Sequence, residues 1–274
     1  MALFDYLKST ILSKVVMAVT GIILVLFLIG HCIGNLQIYI GKETFNAYAH
    51  FLQGLGELLW LIRIVLFLAL IFHIITSIRL KILNLQAKPD KYEVKRYLKA
   101  NFSGRTMIWT GIFVVAFLIL HLGHFTTGTF DYENFSKNPK NLEYYSKDVV
   151  VVEKADIEKA QQENLEKGPS LLKLDGVEYT KDDDLVLFAR PDAYSMVIKG
   201  FRQPVFAISY IILVIIIGFH LSHAIQSAPQ TLGINHPKYN NFLRKLGPWL
   251  STILVLCYIS IPITILSGLV GGSL

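Results

Sequence analysis

Four histidines sit inside runs of apolar residues: His31 in LFLIGHCIGN, His73 in ALIFHIITS, His121 in LILHLGHF and His220 in IIIGFHLSHA. Polar side chains are costly in hydrocarbon, so an imidazole at that depth needs something specific to engage it. Two of the runs carry a second histidine three residues on, His124 and His223. Imidazoles facing one another across a gap in a helix bundle offer the two axial positions of a haem iron, in a dry pocket. The competing role for each is a bundle-facing polar residue hydrogen-bonded to a neighbouring helix.

The elements that must position these residues are visible in the hydropathy. The chain has 274 residues, of which 53% are apolar, and a mean hydropathy of +0.48, too high for a soluble domain with ordinary loops. Five runs of spanning length stand out, over residues 14–40, 58–83, 106–125, 205–227 and 249–271. Each offers about 20 residues or more, enough to cross a hydrocarbon core of roughly 30 Å as a helix. The expected fold is therefore all-α and polytopic, with helices 1–3 in residues 1–125, an insertion over 126–200 and helices 4–5 in residues 201–274. The first run lacks a small-x-small cleavage site and carries His31, so it is expected to be retained. Cys32 and Cys257 show no metal-type spacing and are expected to pack.

Charge sets the expected orientation. The insertion holds 10 Lys or Arg against 15 Asp or Glu, a net of −5 within a chain of net +6. The remaining positive charge gathers at Lys8 and Lys14, between runs two and three, and at Lys238, Arg244 and Lys245. The positive-inside rule makes these regions cytoplasmic, with the N-terminus inside and the long acidic insertion outside. A basic patch can also bind nucleic acid, but no aromatic or glycine pattern accompanies it here, so no nucleic-acid partner is expected.

Depth pairs the histidines. His31 lies 17 residues past Lys14 and His121 16 past Arg105, both about 25 Å from the inner face at helical rise. His73 lies 8 residues before Lys81 and His220 9 before Pro229, about 12–13 Å from the same face. Four helices thus contribute an outer pair and an inner pair, about 12 Å apart along the bundle. Gly30 and Gly34 beside His31, Gly123 beside His121 and Gly218 before His220 leave room for a macrocycle or for close helix packing. Thr76, Ser77 and Ser222 are candidates for orienting the inner imidazoles. His124 and His223 are alternative ligands, or contacts to a haem propionate or a quinone.

Between the spans, Met1–Ser13 reads as an amphipathic lead-in and GKETFNAYAHFLQGLGE as a short interfacial helix whose His50 can face a quinone. The inner loop, residues 84–103, is expected to be helical in its middle and to meet anionic lipid or a partner subunit. In the insertion, EKADIEKAQQENLEKG reads as a helix and LLKL and VEYT as short strands around a turn at Asp175 and Gly176, within an otherwise solvated loop.

With these residues in place, the chain resembles the five-helix, two-haem cytochrome b membrane anchors of succinate dehydrogenases and fumarate reductases. The matching stretches are GHCIGN at His31, AYAHFLQ at His50, FHII at His73, His121 in span three, and FHLSHAIQS with TLGINHPKY from His220. The resemblance covers residues 1–125 and about 190–274 and leaves the acidic insertion uncovered. It implies two haem b groups, the outer on His31 and His121 and the inner on His73 and His220. It further implies a flavoprotein subunit with FAD and an iron–sulfur subunit on the cytoplasmic side, a quinone substrate, usually menaquinone, and the cytoplasmic membrane of a bacterium. The chain carries neither a dinucleotide GxGxxG nor a cysteine cluster, so it can be the electron conduit and anchor but holds no catalytic residue of its own. Glu57 is the best-placed carboxylate for quinone proton exchange. Some relatives carry an acidic residue two before the span-four ligand, where this chain has Gly218. The alternatives are a cytochrome b subunit of a hydrogenase or formate dehydrogenase, and a small transporter whose histidines bind protons or substrate. Broken helices or inverted repeats would favour the transporter, and beyond Pro262 the chain shows neither.

Overall fold

A computed structural model describes residues 9–87, 102–146, 171–174, 177–182, 185–234 and 236–272, with the side chains of 139 and 143–189 left undescribed. Helix α1 (Thr10–Leu36) starts at Ser9, whose hydroxyl accepts the Leu12 amide at 3.1 Å and so satisfies one of the free donors of the first turn. Gly41, at a φ of 132° that suits glycine alone, turns the chain into α2 (Lys42–Gly54). A second such glycine, Gly56 at φ 53°, turns it into α3 (Glu57–Gln86), antiparallel to α1. One helical turn at Phe102–Arg105 leads into α4 (Met107–His121), which widens into a π turn over Leu122–Thr126. After the insertion come α5 (Ala193–Arg202), α6 (Pro204–Thr231) and α7 (Pro237–Leu266).

Five helical stretches are long and apolar enough to cross a membrane: Thr10–Tyr39, Glu57–Gln86, Met107–Thr126, Pro204–Thr231 and Pro237–Leu266. The architecture is all-α with five candidate spans. Helix α6 lies at the centre, packed on α7, α4 and α1, while α3 packs on α1 at the edge. Along α3 only Ala69, Thr76 and Leu80 are buried, and Trp60 and Phe67 are each 62% exposed. An apolar exterior of this extent is what lipid covers, since in hydrocarbon the helix already satisfies its own backbone. We call the end of the bundle where α1 begins the near end and the opposite end the far end.

The fifth span differs from expectation. The sequence predicts 249–271, whereas α7 begins twelve residues earlier, at Pro237, and ends at Leu266. Proline at the first helical position is pre-set for the helix, and His236 caps it by accepting the Lys238 amide at 3.2 Å. Lys238, Arg244 and Lys245 hide this start from a hydropathy scan without weakening the helix. At the other end, Gly268 with φ 76° stops the helix before the apolar residues do. The first, second and fourth spans run a few residues beyond or short of 14–40, 58–83 and 205–227, and α6 continues through Pro229 to Thr231.

The insertion is also more ordered than a solvated loop. Strands β1 (Leu142–Ser146), β2 (Leu171–Leu174), β3 (Val177–Asp182) and β4 (Leu185–Pro191) form an antiparallel sheet in the order β1-β4-β3-β2. Leu142 pairs with Pro191, Leu171 with Thr180 and Lys181 with Val186. The expected strands LLKL and VEYT are thus β2 and the start of β3, but β1 and β4 carry no alternation that the sequence reading separated from loop. The expected helix over 153–168, the turn at Asp175 and Gly176, the middle of the inner loop and most of the N-terminal lead-in lie outside the described residues. Helix α5, at the end of the insertion, is buried on most sides against Ile38, Phe45, Tyr210, Ile261 and Ile265 at the far end.

Candidate functional site

Near the α1-start end, His73 on α3 and His220 on α6 face each other, ring centroids 6.4 Å apart and planes at 67°. Each is seated by a helix that carries neither. The Nδ1 of His73 lies 3.1 Å from the Met17 carbonyl and 3.3 Å from Thr20 Oγ1, both on α1. Thr20 gives its own proton to the Val16 carbonyl at 2.7 Å, so a lone pair is left facing the ring. On the other side Thr110 Oγ1, on α4, lies 3.2 Å from His220 Nδ1, and the Met107 carbonyl is a further acceptor for that ring. Thr110 likewise donates within its own helix, to Met107 or Thr106, at 3.1 and 3.2 Å. With only acceptors around it, each Nδ1 must carry the proton, and Nε2 keeps its lone pair, the form in which imidazole binds metal. Gly21 and Gly111 lie under the two rings: a Cβ at Gly21 would crowd His73 Cε1 at 3.3 Å, and one at Gly111 would touch His220 Cε1 at 3.6 Å.

At the far end, His31 on α1 and His121 at the end of α4 stand 5.8 Å apart with planes at 84°. Each stacks on a phenylalanine one turn earlier, His31 on Phe27 at 5.3 Å and His121 on Phe117 at 5.5 Å. Tyr258 and Tyr210 complete an aromatic wall, and Tyr258 donates its hydroxyl to the Leu28 carbonyl at 2.7 Å. His121 Nδ1 and the Tyr210 hydroxyl are buried with no hydrogen-bond partner among the described residues. The two layers are further apart than the 12 Å read from loop charges. His73 sits beside Thr20, eleven residues before His31 on the same helix, which is roughly 16 Å at helical rise.

Sequence reasoning missed the feature that seats both layers. Met17, Thr20, Gly21, Phe27 and His31 recur at one constant offset as Met107, Thr110, Gly111, Phe117 and His121, and nine of the fifteen residues from 17 to 31 are identical in 107 to 121. Each copy uses its threonine and glycine for a near-end histidine on the adjacent helix and its own histidine for the far pair. The signal was open to a search for internal repeats, but two apolar helices share composition by default, which masks it.

The other candidates are placed as follows. His124 is 2% exposed, stacked between Phe125 and Phe206 at 4.0 and 4.1 Å, with Nε2 3.8 Å from Asp131 Oδ2. Gln203 donates to that same carboxylate oxygen at 2.7 Å, so His124 faces the start of the insertion and the ring that meets His31 is His121's. His223 is half-buried one turn beyond His220, and the ring that meets His73 is His220's. Glu57 and His50 are both exposed, on the first turn of α3 and the last turns of α2. Gly30 opens onto empty space, and Gly34 abuts Tyr48 of α2. Gly123 meets Phe130 and Gly218 meets Val255, and the glycines that approach the near-end rings are Gly21 and Gly111. Ser77 donates to the Ile74 carbonyl at 2.8 Å and Thr76 to those of Phe72 and His73 at 2.6 and 3.2 Å, so neither hydroxyl turns to the His73 ring. Ser222 presents its carbonyl to Gly247 of α7. The hydroxyls that do reach imidazoles come from α1 and α4, which no reading along α3 or α6 could reveal. Cys32 and Cys257 are free thiols in the packing between α1, α6 and α7.

A polar clamp ties the insertion to α2 beyond the far pair. Asp192 caps α5, accepting from the Ser195 amide at 2.9 Å and Asn46 Nδ2 at 3.0 Å, with Lys42 Nζ 3.0 Å away. Asn46, fully buried, returns its carbonyl oxygen to the Tyr194 amide at 2.8 Å, and Arg190 pairs with Glu43 at 2.5 Å. Burial alone would raise the Asp192 carboxyl, but the hydrogen bonds from Ser195, Asn46 and Lys42 outweigh it and hold it below its ordinary value.

Compared with protein-family models, curated proteins and solved structures, the chain has no match.

Proposed function

We propose that this chain is the haem-carrying membrane anchor of a succinate:quinone oxidoreductase. It would pass electrons between cytoplasmic flavoprotein (FAD) and iron–sulfur subunits and a membrane quinone, menaquinone by the resemblance. The observation that carries this reading is the meeting of two histidine pairs from four helices at two levels. An imidazole nitrogen lies about 1.1 Å from its ring centre and a metal–imidazole bond is about 2 Å long, so two rings on one metal stand roughly 6 Å apart. The separations of 5.8 and 6.4 Å bracket that value. Among the described residues no group of three or more His, Cys, Asp or Glu comes together, so each pair offers two ligands, as a macrocycle-bound iron requires.

His31 and His121 would hold one haem b and His73 and His220 the other. Bound there, haem supplies one-electron transfer at two points across the apolar layer. The chain's part is to hold Nε2 of His73 and His220 unprotonated, to line the far pair with Phe27, Phe117, Tyr210 and Tyr258, and to exclude water from both. The cationic clusters at Arg79, Lys81, Arg105, Arg244 and Lys245 support a cytoplasmic near end by the positive-inside rule, where the soluble subunits would dock; the cytoplasmic membrane of a bacterium follows from the resemblance. The near pair is then the inner one. Reduced-minus-oxidised spectra with haem quantitation on the purified complex test the reading. Two b-type haems per chain are expected, and a haem content near zero would overturn it.

A further inference from the structure

We infer that Thr20 and Thr110 are a matched pair of positioning residues that fix the tautomer and plane of His73 and His220 and thereby set the electron-donating strength of the inner site. This rests on the haem reading above. Three observations carry it. Each threonine hydroxyl donates its proton inside its own helix, to Val16 or Met17 in one case and to Thr106 or Met107 in the other. It can therefore only accept from the imidazole. Each histidine also has a main-chain acceptor three residues before that threonine, the carbonyl of Met17 or Met107. Each stands over a glycine that directly follows the threonine, where a Cβ would lie 3.3 Å from His73 Cε1 and 3.6 Å from His220 Cε1.

The three parts form one unit, Met-x-x-Thr-Gly, used twice in the same direction along the bundle. Two independent sites built alike, from helices 90 positions apart in the chain, argue for a requirement on the ring beyond packing. The chemistry supplies one. An imidazole whose Nδ1–H is held by good acceptors is a stronger donor through Nε2, and partners of this type change metal affinity by about 10–100-fold. The outer pair is built otherwise: His121 Nδ1 has no partner among the described residues. The unit thus makes the inner site different from the outer, although both present two histidines.

The experiment uses the full chain purified with its partner subunits and compares Thr20→Val, Thr110→Val and the double variant with Thr20→Ser and Thr110→Ser. Valine keeps the shape and removes the acceptor, whereas serine keeps the acceptor. Haem stoichiometry, the ferric low-spin resonance spectrum and a redox titration resolved into two steps are read for each. The valine variants are expected to keep the outer haem unchanged, to move the inner step to higher potential with an altered low-spin signal, and in the double variant to retain inner haem about 10-fold less well. The serine variants are expected to match wild type. Wild-type signals from both haems in the double valine variant, or equal changes in both, would overturn the inference while leaving the haem reading intact. Absence of haem from the wild-type chain would overturn both.

Discussion

The near and far histidine pairs answer one problem, holding two imidazoles against each other in an apolar bundle, in different ways. At the near end each ring is fixed by hydrogen bonds that its Nδ1–H donates to a helix that does not carry it, so its tautomer is set by that helix. At the far end the rings are held by stacking on Phe27 and Phe117 and by a tyrosine wall, with His121 Nδ1 and the Tyr210 hydroxyl unpartnered among the described residues. Hydrogen bonds specify direction, whereas aromatic contacts specify volume and leave rotation freer. The near site is therefore preorganised by polar geometry and the far site by shape.

The contrast can be broken most strongly at the ligands. His73→Ala or His220→Ala is expected to remove one haem and His31→Ala or His121→Ala the other, counted by haem assay. Loss of a haem from His124→Ala or His223→Ala with these four unaffected would reassign the pairs. Next in size are the cradle glycines. Gly21→Val or Gly111→Val should cost roughly 1–3 kcal/mol by overpacking the ring and should loosen the inner haem, whereas Gly30→Ala, facing open space, should stay within about 0.5 kcal/mol of wild type in detergent unfolding.

Two smaller effects sharpen the far end. Asp192→Ala should cost about 1–2 kcal/mol by uncapping α5, read as faster proteolysis of the insertion. Because the Asp192 carboxyl is held below its ordinary value, its contribution is complete above about pH 4 and fades as acid protonates it; Asp192→Ala should flatten that acid limb. Smallest of all, Tyr210→Phe removes a buried hydroxyl with no described partner and should leave stability unchanged or raise it by about 1 kcal/mol in the same unfolding assay.

Much of the architecture was legible because hydrocarbon imposes a simple code. Long apolar runs have to be helices, so five spans and the sorting of His31, His73, His121 and His220 into two levels follow from composition and helical rise, although the spacing of the levels does not. That is why the pairing by depth matches the pairing by contact. Where the code stops, so did the reading: the charged start of α7 carries no hydropathy signal, and the buried α5 mixes lysine and arginine with the apolar face that packs on Tyr210 and Ile265.

What only the tertiary structure decided is which groups surround each ring. Serines and glycines next to a histidine in sequence project along its own helix, where hydroxyls return to the carbonyl three or four residues back, as Thr76 and Ser77 do. The partners of an imidazole come from the facing helix, dozens of positions away, and their choice depends on the rotation and crossing of two helices. Depth along a helix is a one-dimensional quantity and can be read from the sequence. Azimuth is set by packing, and it is the azimuth of α1 and α4 that brings Thr20 to His73 and Thr110 to His220.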